Sequence, residues 1–302
     1  MSDHCSSDVL VRNVAIATDF SPASDRATRH ALLVARQFGA AIHFFHAIRR
    51  SEFPFVPDMM IELDALAQRD CDALIARLQA ENELDNINAR CWNVGGEISE
   101  VFGDLIRDHC IDLLVLGTRG RNAISRLLFG SIAQEICRQV SCPVLTVGPW
   151  SRGARRQLVL KRVLFASDLS DESKAGIPYA LKVARTWSAE IDLLHVCSSW
   201  NSDRRDRMEK FGRGIEDAAK PQGSPPIRYH MISGNPSYAV LDFARQNRED
   251  LIVLGLAPYR SLYRGPLLSH AYEIVCQATC PVLNVCSNIL PRPSTERVFR
   301  GE

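Results

Sequence analysis

The sequence carries almost no net charge: 36 lysines and arginines stand against 35 aspartates and glutamates, a formal balance of +1 at pH 7. Such a chain has no bulk attraction for nucleic acid or an anionic membrane surface, so neither is expected as a partner. No apolar run approaches the roughly 18 residues that a membrane span needs. The leading Met1-Ser2-Asp3-His4-Cys5 lacks the basic and apolar regions of a signal peptide. A soluble, cytoplasmic protein is expected. Although there are ten cysteines, no CxxC pair occurs among them. Most lie in apolar runs such as Ile136-Cys137 and Val196-Cys197, where a reduced thiol acts as a small hydrophobe. The GxxxxGK[ST] phosphate loop and the SGG-type pyrophosphate loop are missing. The segment Thr18-Asp19-Phe20-Ser21 also has none of the glycines of a dinucleotide fingerprint. His46 and His195 end apolar runs and read as packed, hydrogen-bonded residues, with no nucleophile or carboxylate placed to complete a triad. His109, His230 and His270 lack ligand spacing, so a metal site built from protein groups alone is not expected.

What is present is a repeat. The chain's 302 residues suit two domains, and Val14-Ala15-Ile16-Ala17-Thr18-Asp19-Phe20-Ser21 returns as Val163-Leu164-Phe165-Ala166-Ser167-Asp168-Leu169-Ser170, 149 residues later. His46-Ala47 returns as His195-Val196 at the same offset. Gly96, Leu116-Gly117 and Cys142-Pro143-Val144-Leu145 return as Gly234, Leu254-Gly255 and Cys280-Pro281-Val282-Leu283, each 138 residues later. The second copy is therefore 11 residues shorter between its second and third strands.

Short apolar runs alternate with segments of helical period in both copies, the pattern of a mostly parallel sheet covered by helices. The first copy reads as strands at 12–18, 40–48, 87–94, 112–117 and 143–148, with helices at 22–38, 56–82, 97–109 and 131–140 between them. The second reads as strands near 161–166, 189–197, 226–232, 250–255 and 281–286. Ser21-Pro22 and Ser170-Asp171-Glu172 supply the hydroxyl cap and first-turn residues of each copy's first helix. The fold expected is α/β: two tandem doubly wound domains, each a five-stranded parallel sheet of order 3-2-1-4-5. Their boundaries fall at 1–150 and 159–288, with a tail at 289–302. Between them lies an arginine-containing linker (Arg152, Arg155, Arg156), read as a solvated charge run.

One loop carries chemistry. Gly117 and Gly120 are followed after nine residues by Gly130-Ser131, in a segment that leaves a strand and enters a helix. With glycine at about 7% usage, this pattern arises by chance in roughly 1% of chains this long. Its setting fits an anion, because glycines let backbone N–H groups approach phosphate and a helix N-terminus then faces the charge. In a sheet of order 3-2-1-4-5, ligands bind beyond the carboxyl ends of strands 1 and 4. Asp19 ends strand 1 and Gly117 ends strand 4, so both flank one crevice. A carboxylate there can accept ribose hydroxyls or hold a divalent cation. Ala47, ending strand 2, offers a small apolar wall for a base. Asp19 can equally cap the first helix, and the two roles can coexist.

On these residues the chain resembles a tandem universal stress protein over nearly all of 10–148 and 160–286. The family's G-x2-G-x9-G-[ST] motif is met by Gly117, Gly120, Gly130 and Ser131, and its strand-1 aspartate by Asp19. The resemblance implies ATP as ligand, with Mg2+. It implies a nucleotide-binding set of Ala17, Thr18, Asp19, Ala47, Leu116, Gly117, Arg119, Gly120, Gly130, Ser131 and Ile132. It also implies that the edge strand, here Val144 to Val147 or Val282 to Val285, can pair with its counterpart inside the chain or in a homodimer. In the second copy Pro258 and Leu268 stand where glycines are needed and only Ser269 is in step, so ATP binding is expected in the first domain alone. The function implied is that of a nucleotide-responsive stress or regulatory protein. A slow ATPase or autophosphorylating enzyme, with Ser131 or Thr118 as acceptor, and an interaction module without nucleotide are the alternatives.

Overall fold

The computed structural model describes residues 9–48, 57–118, 136, 140–151, 159–197, 202–220, 223, 225–256 and 267–287. The first repeat supplies β1 (Asn13–Ala17), α1 (Pro22–Phe38), β2 (Ala41–Ile48), α2 (Pro57–Ala80), β3 (Ala89–Gly95), α3 (Ile98–Asp108), β4 (Leu113–Gly117) and β5 (Val144–Val147). The second supplies β6 (Arg162–Ala166), a 3-10 turn (Glu172–Gly176), α4 (Ile177–Trp187), β7 (Glu190–Cys197), α5 (Ser202–Ala219), β8 (Ile227–Ser233), α6 (Pro236–Gln246), β9 (Leu251–Leu256), α7 (Leu267–Gln277) and β10 (Val282–Cys286). Every strand expected from the pattern is found. Of the helix expected at 131–140, only Ile136 and Val140 are among the described residues.

Each repeat has strand order 3-2-1-4-5, and the two are joined into one ten-stranded sheet, β3-β2-β1-β4-β5-β10-β9-β6-β7-β8. All pairings are parallel except the junction, where β10 runs antiparallel to β5 with Leu283 opposite Leu145. The tandem chain thus pairs its two edge strands with each other. Because the halves run in opposite directions, the carboxyl ends of their strands lie at opposite margins of the sheet.

Central strands read as unbroken apolar runs because both faces are covered. Val14, Ala15 and Ile16 of β1, and Val163, Leu164 and Phe165 of β6, are wholly buried. One core layer packs α1, α2, α4 and α5 on one face, and the other packs α3, α6 and α7 on the opposite face. Both run across the β5–β10 junction, where Phe38 meets Trp187 edge to face at 5.6 Å. Local signals set the first helix. Ser21 accepts the Ser24 N–H, and Gly39 ends the helix in the left-handed region at φ 63° with its N–H on Ala35 O and Arg36 O.

Two expectations need correction. Cys71 on α2 and Cys91 on β3 form a disulfide rather than two reduced thiols. They are 20 residues apart, and the packing of α2 on the edge strand, which no local spacing reveals, brings them together. Cys110, Cys142, Cys197, Cys276, Cys280 and Cys286 are free. The second repeat also does not enter its first α-helix at Ser170-Asp171-Glu172. Ser170 Oγ does accept the Ser173 N–H at 3.1 Å, but the turn it starts is 3-10, and the α-helix begins at Ile177. The tighter turn lays the backbone of Ser173 over Gly255, where a Cβ would sit 2.1 Å from Ser173 O. Gly255 therefore has a packing role that needs no ligand.

Candidate functional site

β1 and β4 are paired as far as Ala17 and Leu116. The β1–β4 ladder ends at that pair, while β1 stays bonded to β2 through the Thr18 N–H and Phe45 O at 2.9 Å and β4 to β5 through the Thr118 N–H and Val147 O at 3.1 Å. The end of this ladder marks the candidate crevice. It opens at the point where the chain winds away on either side, as expected for a doubly wound sheet.

The β1–α1 turn is fixed by a small network. Thr18 Oγ1 accepts the Phe20 N–H at 3.0 Å, and Asp19 Oδ1 accepts the Ser21 N–H at 3.0 Å and the Ser24 hydroxyl. The chain can turn this sharply because Phe20 adopts a left-handed φ of 57°, a conformation that costs a non-glycine residue about 1 kcal/mol or more. The Phe20 ring packs 4.7 Å from that of His46, whose Nδ1 bonds Thr18 O at 2.9 Å. The second repeat reproduces the arrangement: Leu169 has φ 63°, Asp168 Oδ1 accepts from Ser170 N–H and Oγ, and His195 Nδ1 bonds Ser167 O at 3.0 Å. Asp19 and Asp168 thus both hold the entry to the first helix, and the two histidines are packed, hydrogen-bonded supports. The recurring D-x-S-x2-S, at Asp19-Ser21-Ser24 and Asp168-Ser170-Ser173, was the legible signal for this turn.

The structure brings together Ala17, Thr18, Asp19, Leu116 and Gly117 at the crevice, with Ala47 at the end of the neighbouring strand β2. Thr18 is buried, Asp19 is half-buried, and Leu116 lies in the core facing α3. Arg119, Gly120, Gly130, Ser131 and Ile132 lie outside the described residues, as does Pro258 in the second repeat.

Three side-chain clusters escaped the sequence reading. On α6 and α7, Ser237 Oγ bonds Glu273 and lies 2.8 Å from Asn235 Oδ1, while His270 Nδ1 is 3.4 Å away. Ser237 bonds the carboxylate directly and is buried, so the group ties two helices together and lacks the serine–histidine–carboxylate relay of a hydrolase. On β2 and β3, Trp92 Nε1 donates to His43 Nδ1 at 3.2 Å, and Trp92 stacks on His109 at 4.0 Å. Burial, with the nearby His109 and Arg90, lowers the His43 pKa to about 4. At the matching positions of the second repeat stands an ionic cluster. Asp192, buried, accepts from Arg228 Nη2 at 2.7 Å and bonds His230 Nε2 at 2.6 Å. Burial opposes the charged form of Asp192, but the hydrogen bonds from Arg228 and His230 outweigh it and hold its pKa low. Glu249, next to it, is raised to about 8 by burial and by the Asp192 charge. Both of its carboxyl oxygens are buried without a hydrogen-bond partner among the described residues, a position that favours the protonated, uncharged form. Among the described residues, no three or more His, Cys, Asp or Glu side chains are grouped to hold a metal ion. No described helix is long and apolar enough to cross a membrane.

Strand order and junction together define a tandem doubly wound α/β protein in which the carboxyl ends of the two repeats' strands face opposite margins of one sheet. The sequence profile described as the universal stress protein family matches residues 11–148 and 160–285, and the chain belongs to that family. It is similar to a universal stress protein of Methanocaldococcus jannaschii, 27% identical over 143 residues that cover 46% of this chain and 82% of the relative. A universal stress protein of Mycolicibacterium smegmatis is similar along nearly its whole length, 25% identical over 299 residues, or 90% of this chain and 96% of the relative. In fold it resembles the crystal structure of a universal stress protein from Archaeoglobus fulgidus, with a TM-score of 0.71 at 19% identity, over 91% of this chain and 98% of that one.

Proposed function

We propose that the first domain, residues 1–150, binds ATP in the crevice between β1 and β4, and that bound nucleotide sets the protein's conformation or association. The observation that carries this reading is the end of the β1–β4 pairing at Ala17 and Leu116, with Asp19 following one strand and Gly117 ending the other. The donor set suits the ligand. A half-buried carboxylate beside an opening takes ribose hydroxyls or Mg2+, Ala17, Thr18 and Ala47 line the base side, and the main chain at Leu116 supplies polar contacts. Gly117, Arg119, Gly120, Gly130, Ser131 and Ile132 would hold the phosphates. ATP would supply the polyanion to which a loop of N–H donors responds.

The second domain, residues 159–288, ends its β6–β9 pairing at the matching place, Ala166 and Leu254, but has Pro258 and Leu268 in place of loop glycines, and we assign it no ATP. The tail, 289–302, plays no part in this reading, and a cytoplasmic location belongs to it. Since β5 and β10 are paired with each other, any homodimer of the intact chain uses another surface.

Calorimetry with Mg-ATP tests the proposal. Binding with micromolar affinity, about 8 kcal/mol, is expected for the full chain, abolished in Gly120→Glu and unchanged in Ser269→Ala. No binding at high micromolar protein, together with no adenine nucleotide released on denaturing the purified protein, would overturn it. Loss of binding in Ser269→Ala would show that the second loop had been misread.

A further inference from the structure

A second opening in the molecule is unrelated to the nucleotide crevice. Over the β5–β10 junction, on the α1–α4 face, lies a partly open cavity of about 70 Å³. Its walls come in pairs related by the repeat: Val34 with Val183, Phe38 with Trp187, and Leu145 with Leu283. Neither repeat makes the cavity alone. Phe38, Val183 and Trp187 are half-buried, so apolar surface remains in contact with solvent at a place where the two cores otherwise close.

The chemistry of the walls decides what fits. One water needs roughly 10–15 Å³ of such space and two to four polar partners, so there is room for several waters but almost no polar wall to hold them. Three polar residues at the margin, His30, Asp112 and Asp250, have their groups bonded to the backbone of their own repeat. His30 Nδ1 bonds Arg26 O at 2.9 Å, and burial lowers its pKa, which keeps the ring neutral. Asp112 Oδ2 accepts the Arg12 and Asn13 N–H groups at 2.9 and 3.0 Å. Asp250 Oδ2, its counterpart, accepts the Lys161 and Arg162 N–H groups at 2.8 and 3.2 Å. A peptide segment would leave its N–H and C=O groups unpaired against these walls. A charged head group would meet Lys182 together with Asp112 and Asp250, charges of both signs. An uncharged hydrocarbon group loses nothing there and gains the burial of its own surface and of the two aromatic rings.

We propose that the cavity over the β5–β10 junction is a binding site for a small uncharged apolar ligand, an alkyl chain or a single aromatic ring, gripped between the two repeats. The site is separate from the nucleotide crevice and stands whether or not ATP binds.

The test labels the full chain with 5-fluorotryptophan, which gives four 19F resonances from its four tryptophans; the Trp187 signal is assigned with Trp187→Phe. Titration with 1-hexanol should move the Trp187 resonance saturably and leave those of Trp92, Trp150 and Trp200 in place. Hexanoate and hexylammonium should bind at least tenfold more weakly. Val183→Phe, which puts a ring into the opening, should weaken hexanol binding at least tenfold. If that variant does not fold, Val34→Leu, a smaller addition, serves instead with a loss of at least threefold. The proposal is overturned if the Trp187 shift does not saturate or all four signals move alike. Tighter binding of either charged congener, or undiminished binding in a folded, filled variant, also overturns it.

Discussion

Thr146 Oγ1 on β5 donates a hydrogen bond to Val282 O on β10 at 3.0 Å, joining residues 136 positions apart across the junction of the two repeats. Asn284, the residue that matches Thr146 in the second repeat, points its amide at Val144 O, Thr146 Oγ1 and Val282 O, each at 3.3 Å. Both side chains are buried among apolar neighbours. Polar groups in such a place favour the one register that satisfies them. Thr146→Val should lower stability by about 1 kcal/mol and Asn284→Leu by about 1–3 kcal/mol. The double variant should lose less than the sum, because the two share a bond. Urea denaturation of the four proteins provides the cycle, and strict additivity would contradict a coupled pair.

The Asp192–Glu249 cluster predicts a pH dependence. The carboxyl of Glu249 ordinarily titrates near 4.5 and is raised to about 8 in the folded protein. The folded state therefore binds the extra proton between those values, and stability falls as pH rises through that window. Asp192, held low, works in the opposite sense: its contribution is present above its ordinary pKa and is lost as pH falls through the folded one. Arg162, Arg228 and His230 are the charged or titratable groups that face the pair. The thermal midpoint should be lower at pH 9 than at pH 6. Glu249→Gln should flatten that decline while leaving acid unfolding in place; an unaltered slope in the variant would remove Glu249 from the account.

Gly255 and Gly214 should respond oppositely to alanine. A Cβ at Gly255 would collide with the backbone of Ser173, whereas Gly214, inside α5, meets nothing within 4 Å. Gly255→Ala should destabilise by about 1–3 kcal/mol through forced displacement of the 3-10 turn. Gly214→Ala should stabilise by about 0.4–1 kcal/mol through the unfolded chain. Chemical denaturation of both variants checks the pair of signs.

Asp19→Asn separates the two roles of this residue. Asparagine keeps an oxygen for the Ser21 N–H, so the thermal midpoint should change little. If the carboxylate also serves ATP, affinity should fall about tenfold, a difference of about 1.4 kcal/mol. Asp168→Asn, at the matching place in the second repeat, should leave ATP affinity unchanged. Equal affinities for wild type and Asp19→Asn would leave Asp19 as a turn residue only.

Much of this was legible because the signals are local. Apolar runs such as Val14–Ala17 and Val163–Ala166 are long enough to be buried strands, and Ser21-Pro22 and Gly39 mark the ends of a helix in any context. The recurrence of Asp19 as Asp168 and of His46 as His195 placed the same turn in both repeats. Clusters assembled from distant elements were not legible. The strand order puts Asp192 beside Arg228 and His230, but nothing in the spacing brings in Glu249 from the connection before β9, and Cys71 and Cys91 meet only because α2 lies on β3.

The sequence by itself determined the elements, their order within each repeat and the candidate loop from Gly117 to Ser131, since hydrophobic period, turn residues and repetition are properties of the chain. Tertiary structure decided that β5 and β10 pair with each other and run antiparallel, which turns the carboxyl ends of the two repeats' strands to opposite margins and creates the apolar cavity between the repeats. Edge strands expose the same N–H and C=O groups to any partner. The choice between an internal and an external one rests on how Leu145, Thr146, Leu283 and Asn284 fit together once the chain has folded.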